Sequence, residues 1–454
     1  MIYKILPLKV SEVVKATNAT LLFGDENQTF CEISTDSRTI GDSTLFVSIK
    51  GEKFDADIFL GDVSKKGAKG YLTSGDIVDK SFSFAIKVEN STIALGKLAS
   101  YYASKFNPKK VALTGSVGKT TTKELVASCL KKKFNTCMTK GNFNNNIGVA
   151  YTLFTLEKDT EALVLEMGMN NFGEIDYLSS LCVPDIAIIT NIGTSHIEFL
   201  GSQEGILKAK SEIFNHMPSD KSAVLNGDDK YLLSLKDKLK LKNIKYVGIN
   251  NKDADYVAYD IETSEEGTKF KCMGKTYKIN HAGVHNVYNA LVAICVGEML
   301  GMCYEEIKEG LNSYVQNGIR QNIESVNGYK VFSDCYNAST QSDICAIDVL
   351  NTIKSERKVA ILGDIGELGQ KAKELHQEVG SYVEKSKTDV LITVGEMSKH
   401  MANMAKSKKV YSFDSVDDLL KDIDNIILKG DAILVKASRF MKFERISDYL
   451  RGVK

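Results

Sequence analysis

Residues 111–122 read VALTGSVGKTTT, a short apolar run followed by a glycine-rich turn, a lysine and a row of threonines. Gly115 and Gly118, with Ser116 and Val117 between them, let backbone N–H groups turn toward an anion. Lys119 offers a point charge for terminal phosphates. The Thr120 hydroxyl can reach a magnesium ion, and Thr121 follows at the mouth of a helix. The chemistry implied is the handling of a nucleoside triphosphate. The standard pattern is G-x-x-x-x-G-K-[ST]. Its first position falls on Leu113, so the strict pattern fails. An ordinary glycine turn is the plainer alternative. Against it, strand, loop, Lys-Thr and helix fall in order.

Other chemistry-bearing residues lie downstream. Glu166 follows an apolar LVL and precedes Met-Gly-Met. A carboxylate at a strand end beside a phosphate loop can hold magnesium, although a solvated glutamate is the simpler reading. His196, in NIGTSHIEFLGS, follows another apolar run and suits a metal or a phosphate, or a structural role. Lys210 lies in EGILKAKSEIF, a helical stretch where a lysine is ordinarily a solvated charge. Asn142, Asn144, Asn145 and Asn146 form an amide-rich loop, KGNFNNNIG. Such amides cap turns or donate to an oxyanion, and the sequence leaves both open.

Repeated strand–helix alternation must position these groups. Nearly continuous apolar runs at Val111–Thr114, Ala162–Glu166, Ile186–Asn191 and Ala223–Asn226 read as buried parallel strands. A helix is expected over Asn286–Leu300, stopped by Gly301. The alternation restarts at Val331–Ser333, Val359–Leu362, Val390–Val394 and Ile433–Val435. Residues 1–88 read as short strands and turns, with a helix near Phe59–Lys66; a further helix over Ser91–Lys105 opens the next unit. The expected division is 1–88, 89–317 and 318–454. In an open parallel sheet, ligands sit beyond the carboxyl ends of strands. Those ends carry Gly115–Thr120, Glu166, Asn191 to His196 and Asn226 to Asp229. In the last unit they carry Asp334, Asp364 and Lys436 to Arg439. Two such clusters in adjacent units suggest a cleft that can close.

The 454 residues exceed one core. Basic and acidic residues balance at 58 each, so no global charge argues for nucleic acid or an anionic membrane. No apolar run approaches the roughly 20 residues needed to span a bilayer. The stretch MIYKILPLKVSEVV does not read as a signal peptide. Nine scattered cysteines without a C-x-x-C pair suit reduced thiols, and a cytoplasmic location is expected.

Together the motifs resemble the Mur ligases, ATP-dependent amide-forming enzymes of peptidoglycan precursor synthesis. TGSVGKTT is similar to that family's shortened phosphate loop. The resemblance is carried further by KGNFNNNIGVAYTL, EMGMNNFGEI, TNIGTSHIEFLGSQEGILKAKSEIF, DCYNAST, ILGDIGELGQKAKELHQEVG and LVKASRFMKFERI. It implies an α/β protein of three domains. A small N-terminal α/β domain would grip a uridine nucleotide. A central parallel-sheet, phosphate-loop domain would carry ATP. A C-terminal Rossmann-like domain would close over ATP and a dipeptide. The implied reaction activates a tripeptide carboxylate as an acyl phosphate, which the amine of D-Ala-D-Ala then attacks. The tripeptide would be carried on UDP-N-acetylmuramic acid.

By the same resemblance Lys119 holds phosphates, Thr120 and Glu166 hold one magnesium, and His196 and Lys210 serve a second. Lys210 would be carbamylated. Asn289, Arg320 and Asp334 would meet ATP; Ser37 and Arg38 would belong to the uridine pocket, and Asn142 and Asn145 to the substrate site. A monomer is expected. Three departures stand out: Asp55-Ala56-Asp57 replaces D-G-H, Thr340 replaces a proline, and Ala437 replaces the glycine of K-G-S-R. The family's third-residue-adding enzyme typically carries D-N-P-[RA], which is missing here, whereas GDIGELG with a downstream His376 favours the dipeptide-adding branch. A nucleotide-dependent regulatory module is the alternative from another class. It leaves Glu166, His196 and Lys210 without a joint purpose.

Overall fold

The computed structural model describes residues 2–51, 54–315 and 321–453, which fold around three sheets. The first has six strands in the order Ile2–Lys9, Thr29–Ser34, Thr44–Val47, Gly70–Thr73, Phe84–Lys87, Thr20–Phe23. Its two outer strands are antiparallel to their neighbours and the inner ones are parallel. The helix Leu60–Lys65 lies within the expected stretch.

The central sheet has nine strands. Its parallel part runs Thr136–Met138, Ala162–Glu166, Lys109–Thr114, Ile186–Ile189, Ser222–Asn226, Asn243–Gly248. Side chains alternate between two cores. Val111, Leu113, Val164 and Ile188 enter one; Ala112, Leu163, Leu165 and Ile189 enter the other. Both faces are therefore covered, which is why these strands read as unbroken apolar runs. The helices Lys119–Leu130 and His285–Met299 pack together on one face. The second is apolar almost all round, as a helix buried between layers must be. Gly301 ends it with φ +76°. The helix Ser91–Ala103 packs on Val10–Thr17 and on Asn146–Leu153, joining the first sheet to the second.

The extension Tyr256–Ser264, Gly267–Cys272 and Lys275–Ile279 escaped the sequence reading; its first strand joins Asn243–Gly248 in parallel and the other two follow antiparallel. Its strands are half-exposed, with burial alternating along them, so no apolar run marks them. The third sheet runs Asn322–Val326, Tyr329–Ser333, Ala432–Lys436, Lys358–Gly363, Val390–Val394, Lys409–Phe413, parallel except for its first strand. The expected boundary near 317 falls outside the described residues. One buried apolar cluster reaches from Leu45 through Leu165 to Ala346 and Leu362, so the three sheets share a continuous core. Among the described residues no helix is long and apolar enough to cross a membrane.

Gly310, on the helix Tyr304–Ser313, shows how close these layers lie. A Cβ there would stand 2.4 Å from Cys129 Cα on the helix Lys119–Leu130. Gly310→Ala must push two helices apart and should cost about 1–3 kcal/mol in urea denaturation. An unchanged unfolding midpoint would show that the layers have slack.

Candidate active site

The phosphate loop is held by the strand next to it. Asn191, just past Ile186–Ile189, accepts the Val117 N–H through Oδ1 and donates through Nδ2 to the Val117 carbonyl, both at 2.9 Å. Thr190 Oγ1 donates to the same carbonyl at 2.7 Å, and Ser116 N–H donates to the Asn191 carbonyl at 3.1 Å. The glycines are required by proximity. A Cβ on Gly115 would lie 1.8 Å from Thr190 Oγ1; one on Gly118, at φ +85°, would lie 2.7 Å from Asn289 Oδ1. Lys119 is half-buried and folds back, its Nζ donating to the Gly115 carbonyl at 2.7 Å.

Glu166 is buried, against the solvated reading. Its Oε1 accepts from Asn144 Nδ2 at 2.8 Å, and Lys123 Nζ lies 3.7 Å from Oε2. Oε2 itself has no hydrogen-bond partner. The amide loop does both things open to it: Asn145 caps the helix Asn146–Leu153 by accepting the Gly148 N–H at 2.9 Å, while Asn142, Asn144 and Asn145 form cavity wall.

That cavity, about 410 Å³, lies between the second and third sheets. It brings together residues Ser116 to Thr121, Asn142, Asn145, Glu166, His196, Asn289 and Asp334. His196 has φ +63°, and its Nδ1 lies 2.6 Å from Glu367 Oε2 on the third domain's loop. Hydrogen bonding to His196 holds the Glu367 carboxyl below its usual range. Gln341 also crosses the cleft, its Oε1 accepting the Thr194 N–H at 3.1 Å and hydroxyl at 3.0 Å. On the far wall, Lys436 Nζ bonds Asp334 Oδ2 at 2.5 Å.

Lys210 is not among the cavity walls, and it is not solvated either: it is 1% exposed. Burial, with the charge of Lys119 adding, pushes its ammonium well below the usual lysine range. Its neighbour on the helix, Glu212, is committed elsewhere, accepting the N–H groups of Gly173 and Asp176. Ser37 and Arg38 lie on the first domain, outside the cavity. Arg38 is 84% exposed and makes a two-pronged pair with Asp36, which holds that carboxyl far below its usual range. Arg320 lies outside the described residues.

The departures prove local. Asp57 is buried and accepts from Thr73 Oγ1 at 2.8 Å; Asp55 accepts the Asp57 N–H at 3.0 Å. Thr340 is buried at the start of the helix Thr340–Thr352. The Ala437 methyl is buried against Gly363, so it does not crowd a ligand. His376 is buried and structural: its Nε2 accepts the Ile365 N–H at 3.0 Å, and its Nδ1 lies 2.6 Å from the Ala372 carbonyl. It thereby shapes the GDIGELG loop that carries Glu367.

Sequence reading missed Lys123, Gln341 and Glu367. Lys123 had a signal: it stands one helical turn beyond Lys119 and so shares its face. The other two meet their partners only across the domain interface. A buried glutamate oxygen without a hydrogen-bond partner, in a cavity that Thr120 also lines, suits a hard divalent cation. The described residues hold no group of three or more His, Cys, Asp or Glu arranged as a metal cage. Glu166 and Thr120 offer oxygen donors of the kind magnesium takes beside water and phosphate oxygens.

Fold and site define a phosphate-loop α/β protein whose cleft is shared by two domains. Residues 113–297 match the Mur ligase middle domain, and 320–439 match the Mur ligase glutamate ligase domain. The chain is 36% identical over 447 residues to the UDP-N-acetylmuramoyl-tripeptide–D-alanyl-D-alanine ligase of Bacillus subtilis, covering 96% of each. It is 32% identical to the Escherichia coli enzyme of the same name, over 91% of this chain and 92% of that one. The crystal structure of MurF from Acinetobacter baumannii superposes with a TM-score of 0.91 at 30% identity, covering 99% of this chain and 100% of that one. MurF ligase from Thermotoga maritima in complex with ADP superposes at 0.83 and 29% identity, over 93% and 97%. The chain belongs to the Mur ligase family.

Asn191→Ala removes both side-chain bonds to Val117. The fold should survive with a loss of about 1–3 kcal/mol. Backbone amides of 115–119 should exchange with deuterium faster than in the wild type. Unchanged exchange there would mean that the loop does not depend on this clasp.

Proposed function

We propose that the chain is an ATP-dependent amide ligase that joins D-alanyl-D-alanine to UDP-N-acetylmuramoyl-tripeptide through an acyl phosphate. The observation that carries this reading is the shared cavity. One wall offers a phosphate loop with Lys119, Thr120 and Glu166; the other offers Asp334 and Lys436. A phosphoryl donor bound on one side is then enclosed by the other, which excludes water from a hydrolysable intermediate. The names and full-length likeness of the relatives supply the substrates.

The tripeptide carboxylate attacks the γ-phosphorus of ATP and ADP leaves. The dipeptide amine attacks the acyl carbon, an amide forms, and phosphate and a proton depart. Two anions must meet in the first step, so cations must screen them. Lys119 exchanges the Gly115 carbonyl for phosphate oxygens. Asn289, packed beneath Gly118, fixes the loop's approach, Asp334 faces the nucleotide, and the family resemblance gives Arg320 a part in binding it. Asn142 and Asn145 donate at the substrate side. Thr120, Glu166 and His196 would hold magnesium, which when bound neutralises phosphate charge and draws the reacting oxygens together. Asn144 keeps the Glu166 carboxylate turned into the cavity.

Lys210 would act as a carbamate. A neutral amine and CO₂ give a carbamate and a proton, converting a cation into an anion that screens Lys119 or ligates metal. Its depressed ammonium beside Lys119 supports this. Ser37 and Arg38 would bind the uridine nucleotide, with Arg38 released from Asp36. Domains of 1–88, 89–317 and 318–454, and work as a single chain in the cytoplasm, belong to the same proposal.

The test is a product assay by mass. ATP, UDP-N-acetylmuramoyl-tripeptide and D-Ala-D-Ala should give the UDP-muramoyl-pentapeptide, ADP and phosphate, with no sustained ATP turnover when either of the last two is omitted. Lys210→Ala should lose most of the rate and regain part of it with a short carboxylic acid. ATP turnover indifferent to both acceptors would overturn the ligase reading; a full rate in Lys210→Ala would overturn the carbamate alone.

A further inference from the structure

Behind the wall formed by Asp334 and Lys436 lies another carboxyl, Asp343, on the helix Thr340–Thr352. It is fully buried, and neither of its oxygens has a hydrogen-bond partner. The cation facing it is Lys436, itself 1% exposed. Lys436 Nζ lies 3.9 Å from Asp343 Oδ1 but 2.5 Å from Asp334 Oδ2 and 3.0 Å from the Asn337 carbonyl. One ammonium therefore faces two buried carboxyls and bonds only one of them. A buried carboxylate without a partner is strongly disfavoured. The free pocket lessens that cost by favouring the neutral form of Asp343: burial, opposed by Lys436 and reinforced by Asp334, pushes it up to about 7.

The two acids differ in what they face. Asp334 belongs to the cavity wall, whereas Asp343 does not. We propose that Asp343 is the alternate counter-ion of Lys436: when a nucleotide's hydroxyl donors engage Asp334, the ammonium shifts onto Asp343, which gives its proton to solvent. The inference rests on the nucleotide reading above. The shift is short, since Nζ is already within 4 Å of Oδ1, and a lysine's flexible stem allows it. Before binding, Lys436 neutralises Asp334 and Asp343 is in its neutral form. Afterwards Lys436 neutralises Asp343, and Asp334 keeps its charge, held by hydrogen bonds from the ligand. The pocket is then one unit more negative, by the proton released to solvent. Asp343 is thus a positioning residue that stops Lys436 from competing for Asp334.

The charged surroundings are few. Lys436 comes from the strand Ala432–Lys436, and Asp334 follows Tyr329–Ser333. His285 feels both from the helix His285–Met299 and is kept neutral by burial. On its own helix, Asp348 is held by Tyr382 of Ala372–Lys385. Asp364, past Lys358–Gly363, accepts the Ser398 N–H.

Calorimetry of ADP with magnesium, on the full chain in buffers of different ionisation enthalpy, counts the protons released. The Asp343 carboxyl is raised into the neutral range, so near neutral pH the wild type should release more protons on binding than Asp343→Asn does, and the excess should shrink as the pH rises. ATP affinity of the wild type should rise with pH through this range, and that of Asp343→Asn should follow only the ligand's own titration. In turnover, Asp343→Asn should raise the KM for ATP more than it lowers kcat. Asp343→Leu, which removes the buried carboxyl outright, should give the same proton count as Asp343→Asn and serves if the latter does not fold. ADP binding with equal proton release in wild type and variants overturns this inference alone. Failure of the wild type to bind ADP overturns the nucleotide reading and this inference with it.

Discussion

A single asparagine amide decides the shape of the phosphate loop. Asn191 grips Val117 by its N–H and its carbonyl at once, and Thr190 adds a third bond to the same peptide. An amide that both donates and accepts leaves one peptide plane little freedom. From that plane follow the turn at Gly118, the direction of the helix Lys119–Leu130, and the places of Lys119 and Thr120. The clasp works only because the strand Ile186–Ile189 lies beside Lys109–Thr114 in parallel register, so that both chains leave the sheet at the same end. Two apolar cores, one on each face, hold that register. The position of a phosphate-binding group thus traces back to alternating aliphatic side chains.

The second theme is charge kept from water. Lys123, Glu166, Lys210, Asp343 and Lys436 are all buried at or behind one cleft. Each is costly alone, and the protein meets the cost differently in each case. Glu166 has an asparagine and a distant lysine. Lys436 has an aspartate. Lys210 lies near the charge of Lys119, Asp343 has only Lys436 at 3.9 Å, and both shift toward their neutral forms. Perturbed groups of this kind gather where charge will later arrive. A phosphate is the charge that the loop awaits; the metal ion and the carbamate are those proposed for Glu166 and Lys210.

Much of this was legible in the chain. The phosphate loop announces itself locally, because glycine, lysine and threonine act within one turn. The strands of the two parallel sheets announce themselves by burial on both faces, and Asp334 and Glu166 by standing at strand ends. What was hidden is non-local. The Gln341 bond to Thr194 and the contact of Glu367 with His196 form only when two domains meet. Lys210 reads as a surface residue because helical spacing says nothing of what covers a face. What the exchange of glycine for Ala437 touches is hidden until Gly363 is found against its methyl. The hairpins over 256–279 lack apolar runs because half of each strand faces water.

The central claim is that the cleft joins a carboxylate to the phosphoryl group of ATP before an amine attacks. Isotope tracing tests it most directly. UDP-N-acetylmuramoyl-tripeptide carrying heavy oxygen in the reacting carboxylate should pass one labelled atom per turnover to inorganic phosphate, and mass spectrometry of that phosphate reads it out. Label in the phosphate at one atom per peptide bond is the predicted result. Unlabelled phosphate, with pentapeptide still formed, would mean that no acyl phosphate lies on the path.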